Sequence, residues 1–358
     1  MEQNSHVSII IPTYNRKDTL ADTINSVINQ TYKDWELIIV DDMSTDNTKE
    51  LILCNYCYDK RIRYLENRFQ KGPSGARNYG ISCSQGEVIA FLDSDDQWTS
   101  NHLLDSIKAI NDEHVDVCFS LWYEKDKEGN IKKIFSTEND KIRFEQVVKE
   151  LKPKISENKF IFNSNFFEYT TLYKFYCCHI NTMVLKKEII KSTGTFNEKL
   201  HGSEDVDFIL NIVRVCGFCL LYDYHLIYNQ GPDNLYYFIN RRDIHLHNII
   251  RDRTIVEKLS FCDINYCEML KIRMNVFKNS YQGCNKWKCI KACKRTLAKK
   301  YFTLGMVNQK INRIKSVCFL FNSLLYDFHI MKIVYIFKLI FSLNDKVVEA
   351  EVRELNFL

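Results

Sequence analysis

Short apolar runs alternate with longer segments of helical periodicity over the first third of the chain. An apolar run of about four to eight residues is typical of a buried strand, and apolar residues that recur every three to four positions are typical of a helix. The predicted strands cover residues 7–15, 35–42, 61–65, 87–96 and 115–123. The predicted helices cover residues 17–30, 46–56, 74–84 and 101–111. This alternation predicts an α/β fold in which helices cover both faces of a mainly parallel sheet.

The pattern changes after residue 123. Residues 123–176 mix charged and aromatic stretches without a regular period, and we interpret them as an insertion that borders the functional site. A strand that leads into a helix is predicted at residues 180–190, and a further helix at residues 203–215. The remaining sequence has a helical pattern. We therefore expect an α/β domain over residues 1–235 and a helical C-terminal region over residues 236–358.

Charge is distributed unevenly along the chain. The formal net charge is only +4, but the segment between Glu268 and Asp327 contains 13 Lys and Arg and no acidic residue. A basic segment of this kind favours contact with a polyanion such as anionic lipid. A solvated basic helix face is the alternative interpretation.

The segment of residues 316–343 is strongly apolar, with 20 apolar residues, but charged residues interrupt it before it could span a bilayer. Five polar positions share one narrow face of a helix: Ser316, Ser323, Asp327, Lys338 and Ser342. Asn322, His329 and Lys332 lie off that face, so a bent helix or two helices are the alternatives to one straight helix. We expect residues 269–343 to bind an anionic membrane surface through charge and shallow insertion. The alternatives are packing against the α/β domain and formation of a homodimer. No nucleic acid partner is expected.

The chain has 14 cysteines, which in 358 residues do not indicate the disulfide framework of a small secreted domain. Its N-terminus has neither a basic region nor an apolar run of signal-peptide length. The spacings of Cys54 with Cys57 and of Cys216 with Cys219 resemble zinc sites, but we favour buried free thiols. We therefore expect a cytoplasmic protein, peripheral on the inner face of the plasma membrane where the C-terminal region binds lipid.

Polar residues gather where the predicted strands end. Residues 12–14 close the first strand, Asp41 and Asp42 the second, and residues 93–96 the fourth. Ligands of open α/β sheets bind beyond the carboxyl ends of the strands, so these residues are expected to line one crevice. Because unpaired buried carboxylates are costly, the crevice should contain a cation or a set of hydrogen-bond donors.

The individual residues suggest roles in that crevice. Asp93 and Asp95 suit a divalent cation, Mg²⁺ or Mn²⁺, although an Asp-rich turn is the alternative. Asp42 could accept a hydrogen bond from a nucleobase and Tyr14 could stack on it. The alternatives for these two are an N-cap and an ordinary half-buried tyrosine. Asp41 points the opposite way on a strand and is expected to be structural.

A loop of residues 72–78 opens a predicted helix, so its backbone N–H groups and Arg77 are expected to face a phosphate. The first strand is not followed by G-x-G-x-x-G, and the chain has no G-x-x-x-x-G-K-[ST]. The usual dinucleotide-binding and P-loop interpretations are therefore excluded.

Five segments in order resemble the motifs of inverting family 2 glycosyltransferases of the bacterial surface-polysaccharide type, which have the GT-A fold. They are SIIIPTYNR, SVINQTYKDWELIIVDDMSTDNT, GARNYGI, GEVIAFLDSDD and GTFNEKLHGSEDVDF. The resemblance covers about residues 5–235. It implies a Rossmann-like sheet flanked by helices, to which the helical C-terminal region is an extension.

The resemblance also implies roles at the matching positions. Pro12, Tyr14 and Asp42 match the nucleoside-binding edge, with Asp42 facing the uracil ring of a UDP-sugar. Arg77 matches the position near the diphosphate.

Asp93 and Asp95 match the D-x-D pair, in which Asp93 faces the ribose or sugar of the donor and Asp95 the metal. Glu204 and Asp205 match the catalytic E-D pair, in which the Asp is the general base that removes the proton of the attacking hydroxyl. A charged first helical turn is the alternative for that pair. Many relatives carry a metal-binding His after this helix, and residues 228–234 contain none.

We therefore expect a metal-dependent inverting hexosyltransferase that moves a sugar from a UDP-sugar to a hydroxyl of a glycan or lipid-linked acceptor. A sugar nucleotidyltransferase would need a Gly- and Arg-rich loop after the first strand, which residues 11–15 do not supply. The other alternative is a non-catalytic relative that only binds a nucleotide sugar. All the expected carboxylates are present, which argues against it.

Overall fold

The computed structural model describes residues 5–230, 253–308, 311–328, 332, 333 and 336. The chain divides into two compact units, Met1–Gly231 and Pro232–Leu358. The predicted boundary between residues 235 and 236 lies outside the described residues, as does the apolar segment beyond residue 336.

Eleven strands in the described part of the first unit form one sheet. They are β1 Val7–Thr13, β2 Trp35–Asp41, β3 Ile62–Glu66, β4 Val88–Phe91, β5 Gln97–Trp98, β6 Val117–Lys125, β7 Ile131–Lys133, β8 Lys154–Ser156, β9 Lys159–Phe162, β10 Val184–Lys186 and β11 Phe218–Asn229. Their order is β3-β2-β1-β4-β10-β6-β11-β9-β8, with β5 on β11 and β7 on β6. The central pairs β2–β3, β1–β2, β1–β4 and β6–β11 are parallel, which confirms the predicted α/β fold with a mainly parallel centre.

The helices of this unit are α1 Leu20–Ile28, α2 Thr48–Asn55, α3 Pro73–Cys83, α4 His102–Asp112, α5 Glu138–Leu151, α6 Phe166–Tyr173, α7 Lys187–Thr193 and α8 Glu204–Val215, with one 3₁₀ turn at Ile180–Thr182. The four helices predicted in the first third of the chain are all present. The segment interpreted as an insertion contributes α5 and α6, and its strands β8 and β9 extend the sheet beyond β11.

The core lies on both sides of the central strands. On one face Ile9 and Ile11 pack with Leu20 of α1, and on the other Ile38 and Val40 pack with Ala76 of α3. These strands are buried along their whole length because both of their faces carry apolar residues. The parallel register brings the ends of β1, β2 and β3 to one edge of the sheet.

Three long helices make up the described part of the second unit: α9 Arg253–Asn279, α10 Lys286–Asn308 and α11 Arg313–Tyr326. α10 packs against both α9 and α11. Within the described ranges, no helix combines the length and the apolar character that crossing a membrane requires.

The polar face predicted for α11 is its packed face. Ser316 and Ser323 are fully buried, and their hydroxyls donate to the backbone carbonyls of Gly305 (2.6 Å) and Ala298 (2.7 Å) in α10. The helix ends at Tyr326, because Asp327 has an extended backbone. The segment that begins at residue 316 is therefore not one continuous helix.

The 14 cysteines are all free thiols. Cys118 and Cys219 are buried, as favoured for structural cysteines. Cys54 and Cys57 are exposed near the end of α2, so the prediction that they are buried is wrong. The reason is that α2 buries only a narrow face, which these two positions do not share.

Candidate active site

Asp42 lies at the edge of the sheet directly after β2. Its Oδ1 accepts a hydrogen bond from the side-chain amide of Asn67 at 2.7 Å, and its Oδ2 accepts one from the backbone N–H of Gly72 at 2.8 Å. The neighbouring Asp41 accepts from the Tyr64 hydroxyl at 2.8 Å and from the backbone N–H of Ser44 at 2.8 Å. Asp41 is thus structural, as expected, while the two bonds to Asp42 hold its carboxylate in a fixed orientation.

Tyr14 follows β1 and is 45% exposed. The ammonium of Lys71 lies 4.7 Å from the centre of its ring. Pro12, the other residue predicted at this strand end, is buried within β1 opposite Val40. The neighbouring ends of β1 and β2 therefore present an exposed aromatic ring and an oriented carboxylate at the same edge of the sheet.

Two glycines shape the turn into α3 for different reasons. A Cβ on Gly75 would lie 1.8 Å from the carbonyl oxygen of Gln70, and Gly72 has a φ of +126° that favours glycine. The same turn brings the N–H of Gly72 to Asp42 and starts α3 at Pro73. Glycine at these positions therefore lets the loop fold tightly against the strand end and directs Arg77 inward.

Arg77 is buried and joins two carboxylates from distant parts of the chain. Its Nη2 lies 2.6 Å from Oδ1 of Asp93 at the end of β4, and its Nη1 lies 3.2 Å from Oε1 of Glu204 at the start of α8. Burial alone would lower the pKa of Arg77, but the two carboxylates outweigh it and raise that pKa. The guanidinium therefore stays charged and holds the D-x-D and E-D segments together.

Asn181 is a site residue that the sequence interpretation missed. Its amide nitrogen donates to Asp93 at 3.1 Å and to Asp96 at 2.6 Å, and its amide oxygen accepts from the backbone N–H of Asp93 at 3.2 Å. The indole N–H of Trp98 donates to its backbone carbonyl at 2.6 Å. Asn181 lies in the 3₁₀ turn before β10, which is antiparallel to β4 and brings it to the end of that strand.

The pKa values of the two carboxylates that Asn181 contacts are shifted in opposite directions. Burial would raise the pKa of Asp93, but Arg77 outweighs it and holds that pKa below its ordinary value. Burial, reinforced by the charges of Asp95 and Asp93, raises the pKa of Asp96 well above its ordinary value. Asp96 is fully buried and also accepts from the backbone N–H of Asn229 at 2.8 Å. Asp93 therefore faces the site as an anion. Asp96 is buried and stabilises the turn through the hydrogen bonds that it accepts from Asn181 and Asn229.

Asp95, the second carboxylate of the D-x-D pair, has 33% of its side chain exposed, close to the 31% of Asp93. Nη2 of Arg16 lies 3.3 Å from its Oδ2. Among the described residues, no group of three or more His, Cys, Asp or Glu side chains is arranged to hold a metal. Mg²⁺ is usually bound by one or two carboxylates together with water and substrate phosphates. Asp95, with Asp93 beside it in sequence, fits a metal bound in that way.

Glu204 and Asp205 form the first turn of α8, after Ser203, whose φ of +61° is unusual for a serine. Burial, with the charge of Asp205, raises the pKa of Glu204 despite the opposing effect of Arg77. Burial also raises the pKa of Asp205, and Arg77 again opposes it. A carboxylate with a raised pKa is a stronger base than an ordinary one.

The sequence profile described as Glycosyl transferase family 2 matches residues 8–181, which include the ends of β1, β2 and β4 and the whole Arg77 loop. This segment is a glycosyltransferase family 2 domain. The match ends at Asn181, so the segment with Glu204 and Asp205 lies beyond it.

Two curated relatives are named for closely related reactions. The chain is 46% identical over 121 residues to the UDP-Glc:alpha-D-GlcNAc-diphosphoundecaprenol beta-1,3-glucosyltransferase WfaP of Escherichia coli, covering 34% of this chain and 47% of the relative. It is 32% identical over 202 residues to the GalNAc(5)-diNAcBac-PP-undecaprenol beta-1,3-glucosyltransferase of Campylobacter jejuni, covering 55% of this chain and 57% of the relative. The chain thus spans about half the length of these curated relatives.

One solved structure shares the fold. It is the mannosyltransferase PcManGT of Pyrobaculum calidifontis in complex with GDP-Man and Mn²⁺, with a TM-score of 0.54 and 13% identity. The similarity covers 94% of this chain and 84% of that chain. This confirms the α/β fold expected of a family 2 glycosyltransferase.

His179 is a second residue near the candidate site that the sequence interpretation missed. Its ring lies 5.0 Å from that of Trp122 and 5.2 Å from that of Tyr228. Burial lowers its pKa to about 4, despite the nearby charge of Asp93. The imidazole is therefore neutral at physiological pH, and its Nδ1 accepts a hydrogen bond from the backbone N–H of Asn181 at 3.2 Å.

Proposed function

We propose that this protein transfers a sugar from a UDP-sugar to a hydroxyl of a lipid-linked saccharide, with inversion at the anomeric carbon. The observation that carries the proposal is the bridge that Arg77 makes between Asp93 and Glu204. It joins the residue expected to face the donor sugar to the segment expected to supply the base. An inverting transfer requires these two parts to lie in one site, on opposite sides of the reacting carbon.

The donor binds at the edge where β1, β2 and β4 end. Tyr14 stacks on the uracil ring, and Asp42 accepts a hydrogen bond from it, because each carboxylate oxygen has a second lone pair beside the one that Asn67 or Gly72 uses. Pro12 keeps the backbone before Tyr14 extended. Asp93, held as an anion by Arg77, accepts hydrogen bonds from the hydroxyls of the ribose or donor sugar.

The transfer is a single displacement. The acceptor oxygen forms a bond to the anomeric carbon while the bond from that carbon to the diphosphate oxygen breaks, and UDP leaves with the electron pair. Asp205 takes the proton that the acceptor hydroxyl loses, and burial raises the pKa of this carboxylate and so makes it a better base. Glu204, tied to Arg77, fixes the first turn of α8 on which Asp205 lies.

A divalent cation, Mn²⁺ or Mg²⁺, would be held by Asp95 together with Asp93. It would supply positive charge to the diphosphate leaving group. The partial exposure of the Asp95 side chain supports this role, and a metal ion would replace Arg16 as the positive partner of its Oδ2.

The names of the two curated relatives support a UDP-sugar donor and an acceptor carried on diphosphoundecaprenol. Such an acceptor is embedded in a membrane, which favours a peripheral enzyme on the inner face. The sugar and the linkage are open to experiment.

The purified full-length protein should release UDP from one member of a panel of UDP-sugars when a lipid-linked saccharide is added, and only with Mn²⁺ or Mg²⁺. Asp95→Ala should abolish this release and weaken UDP binding measured by calorimetry, because the metal connects the protein to the diphosphate. Asp22→Ala, an exposed aspartate on α1, is the matched control and should behave as wild type.

Two results would contradict the proposal. Full turnover of Asp95→Ala in the presence of a chelator would remove the metal from the reaction. Binding of UDP-sugar without release of UDP from any donor and acceptor pair would favour a non-catalytic binding protein.

A further inference from the structure

One face of α11 carries large apolar side chains in solvent. Ile314 and Leu325 are each 79% exposed, and Phe321 is 51% exposed. At about 100° per residue these three positions lie within about 40° of each other around the helix. We call them the α11 stripe. Phe328, just beyond the end of the helix, is exposed as well.

The opposite face fixes the orientation of the stripe. Ser316, Leu320 and Ser323 are fully buried against α10. A Cβ on Gly305 would lie 2.5 Å from Leu320, so the two helices approach closely there. The two serine hydroxyls bond to carbonyls of α10. Rotation of α11 to bury the stripe would break these bonds and this close contact.

Two basic residues flank the start of the stripe in sequence, and α10 also carries exposed basic residues. Arg313 and Lys315, on either side of Ile314, are exposed, and so are Lys288 and Arg295 on α10. From residue 269 to residue 326 the chain has 13 basic residues and no acidic one. Large exposed apolar groups of this kind mark interaction surfaces, and the nearby charge selects the partner.

We propose that the α11 stripe docks on the surface of an anionic lipid bilayer. The apolar side chains insert at the boundary between headgroups and acyl chains, and the basic residues contact the headgroups. A second copy of this chain is a poorer partner, because its own basic segment would be brought against the first. This proposal deepens the proposed function, in which the acceptor is lipid-linked, but the docking itself needs neither donor nor acceptor.

The test is sedimentation of the full-length protein with vesicles of phosphatidylglycerol and phosphatidylcholine, compared with phosphatidylcholine alone. Wild type should sediment with the anionic vesicles at low salt and dissociate at high salt. Ile314→Asp with Leu325→Asp should reduce the partition coefficient at least about tenfold, because two apolar side chains no longer insert. Ile131→Asp, an exposed isoleucine on β7, is the matched control and should sediment as wild type.

Far-UV circular dichroism and the unfolding midpoint should be unchanged in the double variant, because both side chains are exposed. The charge contribution is tested by Arg313→Gln with Lys315→Gln, which should weaken binding to anionic vesicles and reduce its salt dependence.

Three results would overturn the proposal. One is failure of the wild type to sediment with anionic vesicles at low salt. Another is sedimentation of the double variant Ile314→Asp with Leu325→Asp with anionic vesicles to the same extent as the wild type. The third is a wild-type dimer in analytical ultracentrifugation that the double variant converts to a monomer while vesicle binding is unchanged. UDP-sugar turnover with a detergent-solubilised acceptor is measured in parallel, so failure of docking and failure of the proposed function are distinguishable.

Discussion

The two units bury polar side chains for opposite purposes. In the first unit, Asp93 and Glu204 are held by one guanidinium at the edge of a sheet. In the second, Ser316 and Ser323 are buried between helices and bond to main-chain carbonyls. A carboxylate is too costly to bury for packing alone, whereas a hydroxyl that finds a carbonyl costs little. The ion pairs of Arg77 thus mark the candidate site, whereas the buried serines of α11 mark its contact with α10.

The largest expected effect comes from the residue of the first unit that we propose as the general base. Asp205→Asn should lower turnover by roughly 10²- to 10⁴-fold, because the amide keeps the shape of the carboxylate but cannot accept the proton. The unfolding midpoint and the affinity for the UDP-sugar, measured by calorimetry, should stay at wild-type values. Asp22→Asn is the control.

An equal loss of donor affinity would instead assign Asp205 to the donor site. The pH profile gives a second check. Burial raises the pKa of Asp205, and the base works only when unprotonated. The wild-type rate should therefore fall on acidification at a higher pH than the ordinary pKa of an aspartate would give.

The next effect concerns stability. Arg77→Met should destabilise the protein by about 3–5 kcal/mol in urea unfolding, because it leaves the buried carboxylate of Glu204 and the half-buried carboxylate of Asp93 without their cation. Lys49→Met, which removes an exposed partner of Glu66, is the control and should change the free energy of unfolding very little. A loss no larger than that of the control would show that the buried carboxylates do not depend on Arg77.

The smallest effect should come from the helix contact. Ser323→Ala should cost about 0.5–1.5 kcal/mol of the free energy of unfolding of the second unit, the usual contribution of a neutral hydrogen bond. Ser192→Ala removes an exposed hydroxyl on α7 that donates to the carbonyl of Ile189, and should cost less. If Ser323→Ala destabilised as much as Arg77→Met, the contrast between the two units would be lost.

Much of the fold of the first unit could be predicted from the sequence, because the central strands are visible as local apolar runs. The apolar runs predict β1, β2 and β4, and parallel strands bring Tyr14, Asp42 and Asp93 to the same edge whatever the details of packing. Asn181 could not be predicted in this way. It lies 88 residues from Asp93, and only the antiparallel addition of β10 next to β4 brings it there.

The sequence pattern also could not predict which face of α11 is buried. Periodicity separates the positions of Ser316 and Ser323 from those of Ile314 and Leu325, but it does not say which face is buried. The usual assignment puts apolar residues inside. Here Ser316 and Ser323 bond to carbonyls of α10 on the same face as Leu320, which packs against Gly305, while Ile314 and Leu325 remain outside.

The loops that follow β1 and β2 are joined to each other before any ligand arrives. The backbone N–H of Asn15 donates to the Ser44 hydroxyl at 2.9 Å, and the backbone N–H of Thr45 donates to the side chain of Asn15 at 2.8 Å. The ordering of this edge is thus accomplished during folding, and a ligand that binds there loses less conformational entropy from the protein than it would on a mobile loop. The affinity of a ligand for this edge then depends mainly on the conformational entropy that the ligand itself loses on binding. That loss is smaller for a rigid ring than for a flexible chain.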